Sequence, residues 1–339
     1  MPALRALSRE NTILVCALVD TNPARTAGLA GYFPDAIQLE HPADLEGQGL
    51  ELAIVASPPR YHAEHVIQLV KTGHSVLCEK PLATTVIDAQ AALTVAADAP
   101  GVLALGLSRR FFPTIEAMDQ ILSAGWLGNL ESFHFSEGNP FHWPVKSPVY
   151  FNKREMQGVL MDIGSHALDL VIRWFGAPEQ VIYQDDALGG IEANARIELR
   201  FAGGLTGEVR LSRDCELENC YYLKGSRAWV RWPVNETHHL QMGMRESKQA
   251  LEVKLANVEF INEMIQLRHA GEDFETIFVR QIRNVVGAMH NTEQLRVSGE
   301  QGLASLELIE RCYRHRTMMP MPWLGDLEWA RALELGATG

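Results

Sequence analysis

No stretch of this sequence approaches the roughly 20 apolar residues needed to cross a bilayer, so no membrane span is expected. The opening Met1-Pro2-Ala3-Leu4-Arg5 also lacks the basic region and apolar run of a secretory leader. Positive charge is scarce: 30 Lys and Arg against 42 Asp and Glu give a formal net charge of −12. Nucleic acid is held by clustered Lys and Arg, so it is not expected as a partner. Cysteine is sparse and odd in number, and Cys16, Cys78, Cys215, Cys220 and Cys312 contain no C-x-x-C pair. Free thiols in a reducing cytoplasm fit this better than a disulfide framework. Internal repeats and low-complexity segments are lacking too. The first thirty residues hold no G-x-G-x-x-G, the backbone cradle that receives a pyrophosphate at the start of a helix.

What is present is apolar and ordered. Almost half of the 339 residues are hydrophobic, enough for two domains with cores of their own. After a helix tail over Pro2 to Leu7, β-rich apolar runs at Ile13 to Val19, Ala36 to Leu39, Leu52 to Ala56, Ser75 to Cys78 and Val102 to Leu107 alternate with helical segments. Among these, Tyr61 to Thr72 places Val66, Leu69 and Val70 on one face and ends at Gly73. That alternation predicts a parallel α/β half. Past Gly128 the pattern changes. A helix over Val159 to Phe175 is followed by strand-like runs from Gln180 to Trp232, then helices over Phe274 to Met289 and Gly299 to Arg314. Strands in series predict a mostly antiparallel sheet. The domains are expected to be residues 1–110 and 111–339.

Two stretches carry candidate chemistry. Ser75-Val76-Leu77-Cys78 ends in Glu79-Lys80-Pro81, a charge pair and a proline where a buried strand leaves the core. In a doubly wound sheet this carboxyl edge is where ligands bind, and a lysine there can trade protons with a hydroxyl. The plain alternative is a surface Glu-Lys pair. In Gly158 to Asp169, the spacing puts Asp162, His166 and Asp169 on one helical face. A carboxylate can hold a histidine in one tautomer for acid-base work near neutral pH. The plain alternative is a solvated polar stripe.

In their order, Val19-Asp20, Ala56-Ser57-Pro58-Pro59-x-x-His62, Glu79-Lys80-Pro81, Arg110-Phe111-Phe112-Pro113 and Asp162-Ile-Gly-Ser-His166 resemble the Gfo/Idh/MocA oxidoreductase family. The resemblance covers about residues 13 to 176. It implies a Rossmann-like doubly wound parallel sheet, here lacking its first strand and G-x-G-x-x-G loop, joined to a C-terminal α/β domain with an open, mostly antiparallel sheet. The active site would lie between them. Members move hydride between a nicotinamide and a hydroxyl-bearing carbon of a sugar, cyclitol or related polyol. By resemblance, Lys80 and His166 exchange the hydroxyl proton, and Asp162 orients the sugar or supports the histidine. Glu79 lies beside the nicotinamide, Asp20 binds the adenosine ribose, and Ser57, Pro58 and His62 line the cofactor. The cofactor is NAD or NADP: Asp20 favours NAD, whereas the nearby Arg25 can accommodate a 2′-phosphate. Arg110, Asn139, His142, Trp143 and Lys153 are expected near the substrate, with packing as an equal alternative for His142 and Trp143.

Two departures bear on this reading. The missing loop is expected to reflect a start assigned too far downstream, a truncation or a real loss. Met156-Gln157-Gly158 stands where members often have a glycine run. The rival reading is a sugar-binding or regulatory protein that no longer binds dinucleotide. A metal enzyme is a weaker third, resting on His62-x-x-His65, because the adjacent His238 and His239 would point to opposite faces of a strand. Tyr222, Trp229 and Trp232 are candidates for an exposed sheet face, which would make the protein a homodimer or homotetramer. The expected compartment is the cytoplasm.

Overall fold

The computed structural model describes residues 1–142, 158–188, 190–245, 250–254, 272–322 and 324–337. The chain divides into two compact units. The first comprises Met1–Ala83, Ile87–Phe111 and Asn257–Gly302, and the second Thr84–Val86, Phe112–Ala256 and Leu303–Gly339.

The first unit alternates helices with strands. In order these are α1 (Pro2–Arg9), β1 (Ala17–Val19), α2 (Pro23–Ala30), β2 (Ile37–Leu39), β3 (Leu52–Val55), α3 (His62–Lys71), β4 (Ser75–Cys78), α4 (Val86–Ala97) and β5 (Leu103–Leu105). Local chemistry sets the ends. Asn22 caps α2 by accepting from the Ala24 amide at 3.1 Å, and Pro23 fills the first turn, where no amide donor is needed. Gly73, at φ +87°, turns the chain out of α3. All strand pairs are parallel, and β4 is buried along its whole length, as suits its apolar Val76-Leu77-Cys78.

One expectation changes here. The parallel strands form two sheets, β1-β2 and β3-β4-β5, rather than one doubly wound sheet. Among the described residues no ladder joins β1 to β3. The run Ile13 to Val19 shortens accordingly, with Leu14 exposed and only Ala17–Val19 in a strand.

A later helix, α7 (Glu272–Met289), packs with these early segments despite its distance in sequence. Val279, Ile282 and Val285 join Ala3 and Leu7 of α1, Leu77 of β4 and Ala104 of β5 in one apolar cluster. The i, i+3, i+6 spacing on α7 places these three along one face.

The second unit is built on a nine-stranded mixed sheet. Its strands are β6 (Leu130–Gly138), β7 (Gln180–Asp185), β8 (Asn194–Arg200), β9 (Thr206–Ser212), β10 (Cys220–Gly225), β11 (Ala228–Pro233), β12 (His239–Met244), β13 (Leu251–Lys254) and β14 (Arg316–Met318). The order is β13-β12-β11-β10-β6-β9-β8-β7-β14; β6–β9 and β7–β14 pair parallel and the other neighbours antiparallel. Four elements escaped the sequence reading: β12, β13, β14 and a final helix, α9 (Asp326–Ala337). The remaining helices are α5 (Pro113–Ser123), α6 (Ser165–Phe175) and α8 (Gly299–Arg314).

One sheet face is covered by aromatic side chains. Phe135 stacks on Tyr221 with centroids 4.2 Å apart, and Phe133 stacks on Phe175 of α6 at 4.6 Å. The opposite face is polar, with Arg196 paired to Glu208 across the strands and the His134 ring 3.1 Å from the same carboxylate. Trp232 does not belong to an exposed patch, contrary to expectation. Side chains alternate along a strand, so Trp229 and Trp232, three apart, point to opposite faces. Trp232 is fully buried and donates from its indole nitrogen to the Glu236 carbonyl at 2.7 Å. Trp229 stays half-buried beside Tyr222.

Candidate functional site

In the first unit the expected site residues gather at the carboxyl ends of β3 and β4. Glu79 and Lys80 follow β4 directly and are half-buried. The Glu79 amide donates to Val55 at the end of β3, and the Gly106 amide donates to Cys78. Burial pushes the Glu79 carboxyl above the usual carboxylate range, partly offset by the Lys80 charge and backbone amide. Gly106 makes that burial possible: a Cβ there would stand 2.8 Å from the Glu79 carboxylate.

His62 is the hub of this edge. Its Nδ1 lies 2.7 Å from the Pro81 carbonyl oxygen and its Nε2 2.7 Å from that of Ser57. The ring therefore bridges the turns that follow β3 and β4. Burial lowers its pKa, while the two carbonyls pull the other way. A neutral ring donates to one of these oxygens and a protonated ring to both. With both nitrogens facing carbonyls, His62 offers no lone pair to a metal, which removes the His62-x-x-His65 reading. His65 instead meets the Ser57 hydroxyl at 3.0 Å and stacks on Tyr61. Pro58 precedes the short 3₁₀ turn that leads into α3.

Asp20 ends β1. Its carboxylate accepts from the Asn22 amide at 2.8 Å and pairs with Arg25 at 3.3 Å, both at the surface. Arg110 is buried and donates to Gln301 at 2.8 Å, so its guanidinium is held within the first unit's own structure.

In the second unit, Asp162 and His166 sit on an irregular helix. Leu160–Gly164 forms a π-helical turn and the α-helix starts only at Ser165. Such wide turns recur at functional sites because they re-aim one or two side chains. Asp162 pairs with Arg213, just beyond β9, while Asp169 is buried in the unit. His166 is half-buried. Arg213 escaped the sequence reading; its one signal was a basic residue directly after an apolar strand run. His142 is exposed, with Nδ1 2.6 Å from its neighbour Pro140's carbonyl, and the Asn139 amide lies 3.5 Å from Asn219. Trp143 and Lys153 lie outside the described residues, as do Met156 and Gln157.

A nicotinamide dinucleotide is the group this kind of edge receives. Asp20 suits a ribose hydroxyl, and Glu79 and Lys80 present polar groups at a strand's carboxyl end. No glycine cradle for the pyrophosphate occurs among the described residues. All five cysteines are free thiols, no group of metal-ligating side chains forms among the described residues, and none of their helices is long and apolar enough to cross a membrane.

These features define a two-unit α/β protein with Rossmann-like parallel strands and an open mixed sheet. Residues 2–107 match the oxidoreductase family with an NAD-binding Rossmann fold, and residues 115–231 match the GFO/IDH/MocA C-terminal domain. The chain belongs to the Gfo/Idh/MocA oxidoreductase family. It is 25% identical over 231 residues to trans-1,2-dihydrobenzene-1,2-diol dehydrogenase of Mus musculus, covering 66% of this chain and 67% of the relative. It is 26% identical to the rhizopine catabolism protein MocA of Rhizobium meliloti, covering 60% of each. A scyllo-inositol 2-dehydrogenase (NADP(+)) of Bacillus subtilis is 29% identical over 47% of this chain and 44% of its own length. The matched regions of the last two thus span about half of those relatives. Among solved structures, levoglucosan dehydrogenase with NADH and levoglucosan shares the fold at TM-score 0.79 and 17% identity, covering 89% of this chain and 88% of the other.

Proposed function

We propose that this chain is an NAD(P)-dependent oxidoreductase acting on a hydroxyl-bearing carbon of a sugar, cyclitol or related polyol. The observation that carries the reading is Lys80, set directly beyond a fully buried parallel strand on a turn that His62 ties to its neighbour. That is where an α/β sheet presents groups to a ligand. Relatives named for dehydrogenation of inositols and a dihydrodiol support it.

In the proposed reaction Lys80 and His166 serve the substrate hydroxyl, taking its proton as the C–O bond gains double-bond character. The nicotinamide, when bound, accepts the hydride from that carbon. Asp162 orients a substrate hydroxyl, with Arg213 fixing its carboxylate. Glu79 lines the nicotinamide end of the site, Asp20 the adenosine ribose, and Ser57 and Pro58 the cofactor's flank. Arg110, His142 and Trp143 are proposed as further substrate contacts. NAD and NADP both remain in the proposal, since Arg25 beside Asp20 offers a partner for a 2′-phosphate. Self-association through the open sheet, as a dimer or tetramer, and a cytoplasmic setting are part of the same reading, with residues 1–110 and 111–339 as its cofactor and substrate portions.

The division of the parallel strands into two sheets favours a second reading, a polyol-binding protein of the same fold without dinucleotide affinity. Fluorescence titration with NADH and NADPH separates the two, followed by turnover of myo-inositol, scyllo-inositol, levoglucosan and free aldoses. Nucleotide binding with turnover of any of these supports the first reading. A folded protein that binds a polyol but neither nucleotide establishes the second.

A further inference from the structure

We propose that Glu192 is a positioning residue, whose buried carboxyl anchors the turn that carries Asp162 and His166. The consequence for catalysis rests on the function proposed above; the anchoring itself does not.

Glu192 lies between β7 and β8 and is 5% exposed. It meets the start of the π turn twice and α8 once. Its backbone carbonyl accepts from the Val159 amide at 3.0 Å, and its Oε1 accepts from the Leu160 amide at 3.0 Å. Oε1 also accepts from the Tyr313 hydroxyl of α8 at 2.8 Å. The first amides of a helix have no partner within it, and Glu192 supplies two of them here. Gly158 completes the fit: a Cβ there would stand 2.1 Å from the Glu192 carboxyl carbon, so no larger residue lets the carboxyl reach Leu160.

The next residue closes a ring. The Ala193 carbonyl accepts from the Arg213 amide at 2.9 Å, and the Arg213 guanidinium holds Asp162. From Glu192 the connection runs through Leu160 to Asp162, then through Arg213 and Ala193 back to Glu192. Asp162 is thereby fixed from both sides, and His166 follows it by one turn.

Among the described residues, the titratable groups facing Glu192 are Asp185 and Tyr183 of β7 and Tyr313 of α8. Arg316 of β14 pairs with Asp185 at 2.7 Å. Burial is the main cause that raises the Glu192 pKa to about 7, with Asp185 adding to it; the Tyr313 hydroxyl and the backbone amides oppose. The carboxyl therefore changes charge in an accessible pH range and leaves a signature at the amide it holds.

The test is nuclear magnetic resonance of the whole chain labelled at leucine nitrogen and histidine carbon, with Leu160 assigned through Leu160→Met and His166 through His166→Asn. The Leu160 amide should move with a midpoint near pH 7. Glu192→Gln should abolish that step while keeping the amide hydrogen-bonded and the His166 resonance in place. Glu192→Ala should shift both. Tyr313→Phe removes a bond that stabilises the carboxylate, so it should move the midpoint upward and keeps the proposal testable if Glu192→Ala fails to fold. A wild-type Leu160 amide that shows no titration step at any pH, or a step that persists in Glu192→Gln, overturns the proposal. So do Leu160 and His166 resonances unchanged in folded Glu192→Ala. These readouts need neither cofactor nor substrate, so failure of the oxidoreductase reading leaves them intact.

Discussion

The guanidinium of Arg213, the residue after β9, closes on the carboxylate of Asp162 in the π turn. Asp162 and Arg213 keep 14% and 25% of their side chains exposed, so the pair is shielded from solvent without being fully desolvated. Shielding strengthens the attraction between the two charges while adding a desolvation cost for each, so the net worth of the pair is a quantity to measure.

A double-mutant cycle measures this pair. Arg213→Ala and Asp162→Asn should each destabilise the fold, and the double variant should lose less than their sum, with a coupling of about 1–2 kcal/mol in urea unfolding. Arg213→Lys should recover only part of it, because an ammonium does not reproduce the planar fork. Strict additivity of the two single effects would show that the contact carries no energy of its own.

His62 gives a prediction for the first unit. Replacing it by Ala leaves the Pro81 and Ser57 carbonyls without the ring between them and should cost about 1–3 kcal/mol. The pH dependence has a definite sign. Burial lowers the folded-state pKa below the ordinary 6.5, so as pH falls through 6.5 the unfolded chain binds the proton first and stability drops. His62→Ala should flatten that part of the stability–pH curve. A curve of unchanged slope would show that the ring takes its proton equally well folded and unfolded.

Much of this was legible because the physics is local. The buried run Ser75 to Cys78, the amphipathic spacing of Val66, Leu69 and Val70, and the alternation within β8 to β11 each follow from period and burial alone. Glu79, Lys80, Asp162 and His166 stood out because charges interrupt apolar runs. What stayed hidden depends on partners far along the chain. No local pattern shows that α7 packs on α1, or that β14, three residues long, joins β7 in parallel. Arg213 and Glu192 read as ordinary charges until the fold brings them to Asp162 and Leu160. The π turn is equally invisible, since its residues fit an α-helical pattern.

Turnover tests the roles proposed for Lys80 and His166. Lys80→Ala should lower turnover by about two to four orders of magnitude, the range for loss of a general acid-base group, while leaving nucleotide affinity nearly unchanged. His166→Asn should remove one limb of the pH–rate profile. Unchanged turnover takes Lys80 out of the mechanism, and an unaltered profile does the same for His166.

Glu192 also makes the stability of the second unit depend on pH in the opposite direction to His62. Its ordinary pKa of 4.5 rises to about 7 in the fold, so between these values the unfolded chain has lost a proton that the folded chain still holds. Its contribution is present in full below pH 4.5 and is lost as pH rises through about 7, on the order of 3 kcal/mol in all. Above that range the group no longer adds slope. Glu192→Gln cannot titrate, yet it offers Leu160 and Tyr313 an acceptor of the same shape. Its stability should therefore fall less steeply than the wild type's between pH 5 and 7, and thermal melts of both proteins across that window read the difference. Parallel curves would mean that the carboxyl keeps an ordinary pKa, and therefore that water or a cation reaches it where the fold shows it enclosed by Tyr313, Gly158 and Leu160.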